Sequence, residues 1–202
     1  MSSITVVLLA AGQSRRMGEV NKLLLPVCGA PMITSMARNY LAVADELIVV
    51  TGHEAARVGE ALKGLPVSLV YNPDYAQGQA HSVAAGLRAA KGSENVLVAL
   101  GDQPLIRPRH ISALFDAHLA AGGAKISLPW NGNQRGNPLI IPGPLLPRLL
   151  ADAQNPGCGR FTRANPDLVT KIPLTDPAYY RDVDTPDAYD ALKKEDQTTE
   201  VA

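Results

Sequence analysis

The run ITVVLLAA at residues 4–11 constrains this chain more than any other feature, because nothing polar interrupts it after Thr5. A strand with one wet face alternates apolar and polar residues, whereas an unbroken run is housed inside a parallel sheet with both faces covered. Comparable runs return at 46–52 (ELIVVTG), 67–72 (VSLVYN) and 95–102 (NVLVALGD), with a weaker one at 124–130 (AKISLPW). Between them, residues 31–44, 54–64, 79–92 and 107–123 space their apolar side chains at three and four, and the second and third of these stretches end in Gly64 and Gly92. Strands alternating with helices predict βαβ units, so the expected class is α/β: four crossover helices on the two faces of a mostly parallel sheet.

Beyond residue 130 the regular alternation stops. Residues 131–167 are rich in Gly, Pro and Asn, with one short strand candidate at 138–142 (PLIIP) and two short helical pieces, which predicts a loop-rich subdomain beside the sheet. A last strand is expected within 167–174, a capped helix at 184–195 and a frayed tail after it. At 202 residues the default is one domain, divided into a ligand-binding part at 1–130, a second part at 131–182 and the terminal helix and tail at 183–202.

Nineteen Lys and Arg balance nineteen Asp and Glu, so no overall field favours nucleic acid or an anionic membrane, and neither is expected as a partner. The N-terminal apolar stretch has no basic flank and is too short for a membrane span, which points to a cytoplasmic protein. Cys28 and Cys158 form no CxxC or Cys/His cluster, so reduced thiols are expected and zinc is not. His53, His110 and His118 have no ligand-like spacing and read as surface or packing residues, and Trp130 as a packing anchor.

Basic character is local instead. Directly after the first strand, Ala10, Ala11 and Gly12 allow a ligand close to the backbone, and Arg15, Arg16 and Lys22 follow within ten residues. Ligands of open parallel sheets sit at the carboxyl ends of strands, and this composition suits a polyphosphate. The stretch is neither GxxxxGK[ST] nor GxGxxG, which sets aside P-loop ATPases and Rossmann dehydrogenases.

LAAGQSRRMG (9–18) with Lys22 resembles the signature of the MobA-like nucleotidyltransferases, and four later stretches match the same family in order: GQAHSVAAGL (78–87), LGDQPLI (100–106), QRGNPLII (134–141) and DVDTPDAY (182–189). Within that family the chain is most similar to molybdenum cofactor cytidylyltransferases: LAAG, where the guanylyltransferase branch typically has LAGG, bears on the base and is shared with sugar and polyol cytidylyltransferases, while the GDQPLI and RGNP stretches bear on the acceptor. The resemblance implies a Rossmann-like nucleotidyltransferase fold and the transfer of CMP from CTP to the terminal phosphate of molybdopterin. It also implies Mg²⁺, or Mn²⁺ in its place, and transient contact with a molybdenum hydroxylase apoenzyme that receives the product. Sugar or polyol phosphates as acceptor, or GTP as donor, would keep the same chemistry. A non-catalytic carrier of the finished cofactor is the alternative outside enzymes.

By the same resemblance Asp102 and Asp184 hold the metal, and Lys22 and Arg16 act with Asp102 in catalysis by stabilising the departing pyrophosphate. Leu9, Ala10, Ala11, Gly12, Arg16, Lys22, Asn72, Gln79, Ser82 and Gly101 surround the nucleotide, and Arg135, Gly136, Asn137, Gly157 and Arg160 meet the acceptor. Each polar position also has a plain structural use: Asp102, Asp184, Gln79 and Ser82 all stand where a helix cap is expected. Cys158 and His81 depart from the family pattern.

Overall fold

The computed structural model describes residues 2–151 and 158–200 of the chain. Its strands are β1 (Ile4–Ala10), β2 (Pro26–Val27), β3 (Ala30–Pro31), β4 (Glu46–Thr51), β5 (Ser68–Tyr71), β6 (Asn95–Leu100), β7 (Ile126–Asn131), β8 (Gln134–Arg135), β9 (Leu139–Pro142) and β10 (Val169–Ile172). Its helices are α1 (Met32–Leu41), α2 (Ala55–Ala61), α3 (Gln79–Ala89), α4 (Pro108–Ala120), α5 (Leu146–Leu150), α6 (Cys158–Ala164) and α7 (Pro186–Glu200).

The main sheet runs β10-β7-β9-β6-β1-β4-β5, with β8 added to β7. β1 lies in its interior, parallel to β4 on one side and β6 on the other, in the register Val7↔Ile48 and Val7↔Val98. All seven residues of β1 are buried, and they divide between two cores. Ile4, Val6 and Leu8 face α1, α2, α4 and α7, while Val7 and Leu9 face α3 and α5, as expected for an unbroken apolar strand covered twice. Gly86 of α3 packs straight onto Val7 and Val50, and a Cβ there would collide with both. That close crossing holds α3 directly against the sheet.

The chain moves from β1 to β4 and β5 on one side, then crosses back to β6 on the other. Connections leave β1 and β6 in opposite directions, and a crevice opens between the carboxyl ends of the two strands at such a switch.

Two expectations need correction. The segment after residue 130 does not lie wholly beside the sheet: β9 inserts between β6 and β7, antiparallel to both, with Leu97↔Ile140 and Ser127↔Ile140 in register. A short apolar run announces a buried strand but carries no direction, so the insertion was not legible in PLIIP. Similarly, α7 continues to Glu200, through most of the stretch expected to fray, because each residue added to an existing helix gains a hydrogen bond without a new nucleus.

Trp130 anchors as expected. It packs against the second core, its indole N–H donates to the Gly132 carbonyl at 2.6 Å, and the Lys171 ammonium stands 3.7 Å from its ring centre. His118 is fully buried and bonded through both ring nitrogens, to Ser127 Oγ at 2.8 Å and Asn95 Oδ1 at 3.1 Å.

Candidate active site

A cleft of about 720 Å³ opens at the switch point, lined by the loop after β1, the start of β6's loop and the first turn of α3. The loop is built by its own hydrogen bonds. Ser14 adopts a left-handed conformation, its carbonyl accepts from Met17 N at 2.7 Å, and its Oγ accepts from Lys22 N at 3.2 Å. Asn21 Oδ1 caps the short turn Lys22–Leu24 by accepting from Leu23 N at 3.1 Å, which fixes the backbone from which Lys22 projects. A Cβ on Gly12 would meet no protein atom within 4 Å, so that backbone faces open cleft.

Asp102 reaches the same place through Gly101. Gly101 N donates to Leu9 O at 3.0 Å, and a Cβ on Gly101 would stand 2.8 Å from that carbonyl, so only glycine lets the loop after β6 close onto β1. Val183 N then donates to the Asp102 carbonyl at 2.8 Å, which carries Asp184 to the same corner from the far end of the chain. Neither aspartate caps a helix here: α4 begins only at Pro108, and Thr185 Oγ1 accepts from Ala188 N at 3.2 Å at the start of α7.

The Lys22 ammonium sits between the two carboxylates, 2.5 Å from Asp102 Oδ2 and 2.5 Å from Asp184 Oδ1, and the exposed Arg16 guanidinium reaches Asp184 Oδ2 at 2.6 Å. Burial works against the Lys22 charge, but the two carboxylates outweigh it and hold its pKa above the ordinary lysine value. Asp102 goes the other way for a carboxylate: burial pushes it up further than Lys22 pulls it down. Asp184 is less enclosed, and Lys22 and Arg16 overcome its desolvation to hold it below the usual range. Asp102 Oδ1 is buried without a hydrogen-bond partner.

That orphaned oxygen bears on a metal. Among the described residues no cluster of three or more His, Cys, Asp or Glu is placed to hold an ion. Mg²⁺, however, takes one or two carboxylates and fills its shell with phosphate oxygens and water. Two carboxylates at one corner, one with an unused oxygen, fit that donor set.

The other residues expected at the nucleotide divide. Leu9, Ala11, Gly12, Gln79, Ser82 and Gly101 line the cleft, whereas Ala10 is buried in the core below it. Asn72 is also behind the wall: its Nδ2 donates to Ser82 Oγ at 3.0 Å, so it orients Ser82. Tyr75, Ala76 and Gln77 line the cleft as well and were not anticipated, and Asp182, the other aspartate of the DVD stretch that carries Asp184, lines it too. Extending the strand-end rule to the loop after β5 would have found the first three. Tyr75 sits against Gly52, where a Cβ would come within 2.5 Å of the Tyr75 Cβ.

A second cavity of about 400 Å³ shares Leu9, Gln79 and Leu100 with the first. Arg135, Asn137, Cys158, Gly159, Arg160 and Arg163 form its far side. Arg135 Nη1 donates to Thr162 Oγ1 at 2.7 Å, and burial lowers the guanidinium's pKa. The Cys158 thiol is pushed up to about 12 by burial against the pull of Arg135, which leaves it inert. Gly136, expected as a flexible contact, is instead packed: its N–H donates to Pro129 O at 2.9 Å, and a Cβ would lie 2.8 Å from Pro129 Cβ and 2.9 Å from Tyr179 O. Gly157 lies outside the described residues. No helix among those residues is long and apolar enough to cross a membrane.

Comparison with known proteins identifies the family and the fold. A nicotine blue oxidoreductase of Paenarthrobacter nicotinovorans is 32% identical over 189 residues, spanning 90% of this chain and 92% of its own. A nucleotidyl transferase from Methanothermobacter thermautotroptrophicus superposes with a TM-score of 0.83 at 28% identity, over 98% of this chain and 100% of that one. A CMP:2-keto-3-deoxy-manno-octonic acid synthetase solved with CTP shares the fold, with a TM-score of 0.72 at 16% identity over 98% of this chain and 99% of its own. Residues 6–169 match the model of the MobA-like NTP transferase domain, and the chain belongs to that family of nucleotidyltransferases.

Proposed function

We propose that the protein transfers CMP from CTP to the terminal phosphate of molybdopterin, giving the cytosine dinucleotide form of the cofactor and pyrophosphate. One observation carries this: a two-carboxylate corner lining the Gly12 cleft, adjoining a second cavity that carries three arginines and no described carboxylate. A nucleoside triphosphate suits the first and a phosphorylated acceptor the second. We assign the nucleotide to the 1–130 part and the acceptor mainly to 131–182.

In this scheme Leu9, Ala11 and Gly12 offer backbone to the nucleotide, with Gln79 and Ser82 facing it from the start of α3. Arg135, Asn137 and Arg160 orient the acceptor phosphate toward the shared wall at Leu9 and Gln79. An acceptor oxygen forms the new bond to the α-phosphorus while the bond to the β-phosphate oxygen breaks in line. Lys22 and Arg16 stabilise the charge that leaves with pyrophosphate. The attacking phosphate is already ionised at neutral pH, so no general base is required. Held by Asp102 and Asp184, Mg²⁺ or Mn²⁺ would supply Lewis-acid polarisation of the α-phosphate.

The LAAG stretch supports CTP over GTP, and the RGNP stretch with Arg135 supports the pterin phosphate over other acceptors. One relative bears an oxidoreductase name; the cleft residues of this chain are types that bind phosphates and cations, which favours transfer. The test is to incubate the purified protein with Mg²⁺, molybdenum-loaded molybdopterin and CTP, GTP or ATP in turn, following pyrophosphate and the nucleotide attached to the pterin. Release with CTP and formation of the cytosine dinucleotide are expected. CTP binding without pyrophosphate release would refute the acceptor and turn the search to sugar and polyol phosphates.

A further inference from the structure

Lys22 cannot both join the two carboxylates and follow the leaving pyrophosphate. Its ammonium lies 2.5 Å from one oxygen of each aspartate, in the position where a cation between them would place its charge. We infer that Lys22 occupies the cation's place in the empty enzyme and competes with it, so that the divalent ion loads when a triphosphate draws the ammonium away. This inference rests on the metal corner proposed above and is independent of the base and of the acceptor.

Three features carry it. Asp102 and Asp184 repel one another unless something positive stands between them, and Lys22 is the ammonium that does so. The Lys22 backbone is pinned by Ser14 and by the Asn21-capped turn, while its side chain is a flexible four-carbon stem with a point charge at its end. The Lys22 anchor and the open backbone of Gly12 lie on one loop lining one cleft, so phosphate oxygens entering there offer the ammonium new acceptors without movement of the main chain. Once Lys22 turns toward the phosphates, Asp102 Oδ2 and Asp184 Oδ1 are released beside the unpartnered Asp102 Oδ1. Nucleotide and cation then favour each other's binding reciprocally. Arg16 keeps one contact on Asp184 during the exchange.

The experiment reads metal affinity rather than turnover. Mn²⁺ is titrated into nucleotide-free protein and the free ion followed by electron paramagnetic resonance, for the wild type, Lys22→Met, Lys22→Gln and Asp102→Asn. Circular dichroism checks each fold, and Lys22→Gln keeps an amide that can still bridge the carboxylates if the methionine variant fails to fold. Removing the ammonium is expected to tighten Mn²⁺ binding on the order of tenfold, within the usual range of site-to-site coupling, and Asp102→Asn to abolish it. If neither Lys22 variant binds Mn²⁺ more tightly while Asp102→Asn still abolishes binding, the competition is overturned and the metal corner stands. If no Asp102-dependent binding is seen in any variant, with or without CTP, the corner is overturned and the inference with it.

Discussion

Arg135→Met separates a ligand-binding arginine from a structural one. Arg135 is desolvated, has no ion pair to a described carboxylate, and makes one described hydrogen bond, to Thr162 Oγ1. Methionine keeps the packing of the aliphatic stem and removes the charge. Thr162 is not stranded by the change, since its hydroxyl also bonds the Cys158 carbonyl at 2.7 Å. The lost charge-assisted bond and the relieved desolvation oppose each other, so stability should move by no more than about 1 kcal/mol, or roughly 2–4 °C in Tm for a chain of this size. Acceptor binding should suffer far more. A hydrogen bond from guanidinium to phosphate contributes about 1.5–3 kcal/mol, which predicts a loss of about 10- to 150-fold in kcat/KM for the acceptor. The KM for the nucleotide should stay unchanged. Thermal unfolding and steady-state kinetics with each substrate varied in turn are the assays. A destabilisation above about 2 kcal/mol with unaltered acceptor kinetics would show that Arg135 holds α6 to β8 and nothing else.

Two further perturbations follow from the packing. Burial lowers the pKa of His118 below the ordinary imidazole value, so its neutral form stabilises the fold at pH above the unfolded value near 6.5, and that contribution is lost as pH falls through the folded pKa. His110, lowered first by burial as well, adds to the same trend, so Tm should fall between about pH 7 and pH 5, and a His118→Gln variant should show a shallower fall in a pH series of melts. Gly52→Ala would place a Cβ 2.5 Å from the Tyr75 Cβ and 2.9 Å from the Ala11 Cβ, both on residues of the cleft wall, and should cost about 1–3 kcal/mol in denaturant unfolding while raising the nucleotide's KM. An unchanged KM would separate Tyr75 from nucleotide binding.

The parallel core was legible because buried strands announce themselves by the absence of alternation, and β1, β4 and β6 do so over six or seven residues each. Direction and neighbour were not legible, since nothing in PLIIP states that β9 runs against β6 and β7. The site divides along the same line. Asp102 could be placed from local sequence, as an acid at the end of an apolar run, and Gly12 from its position in the first loop. The meeting of Lys22 with Asp184, 162 residues apart, depends on Val183 N reaching the Asp102 carbonyl, a contact between segments with no local signature. Gly136 shows the opposite failure, because a glycine in a polar loop reads as freedom and here serves the close approach of Pro129 and Tyr179.

Asp102 and Arg135 share an electrostatic condition although their charges are opposite. Burial moves each pKa toward its neutral form, up for the acid and down for the base. Lys22 relieves Asp102 only in part, and among the described residues no carboxylate relieves Arg135. Ordinary core packing would have removed both charges, because a buried charge is tolerated in proportion to how well it is paired. One lies in the first cavity and one in the second, on either side of the wall formed by Leu9, Gln79 and Leu100. A cation at the first and an anion at the second would complete the pairing that the fold leaves open. Ligands with those charges should therefore bind the folded chain in preference to the unfolded one, and each should raise its melting temperature as its concentration rises through its Kd. A phosphate-bearing acceptor that raised the melting temperature of the wild type and of Arg135→Met equally would place the uncompensated charge of Arg135 outside its binding site.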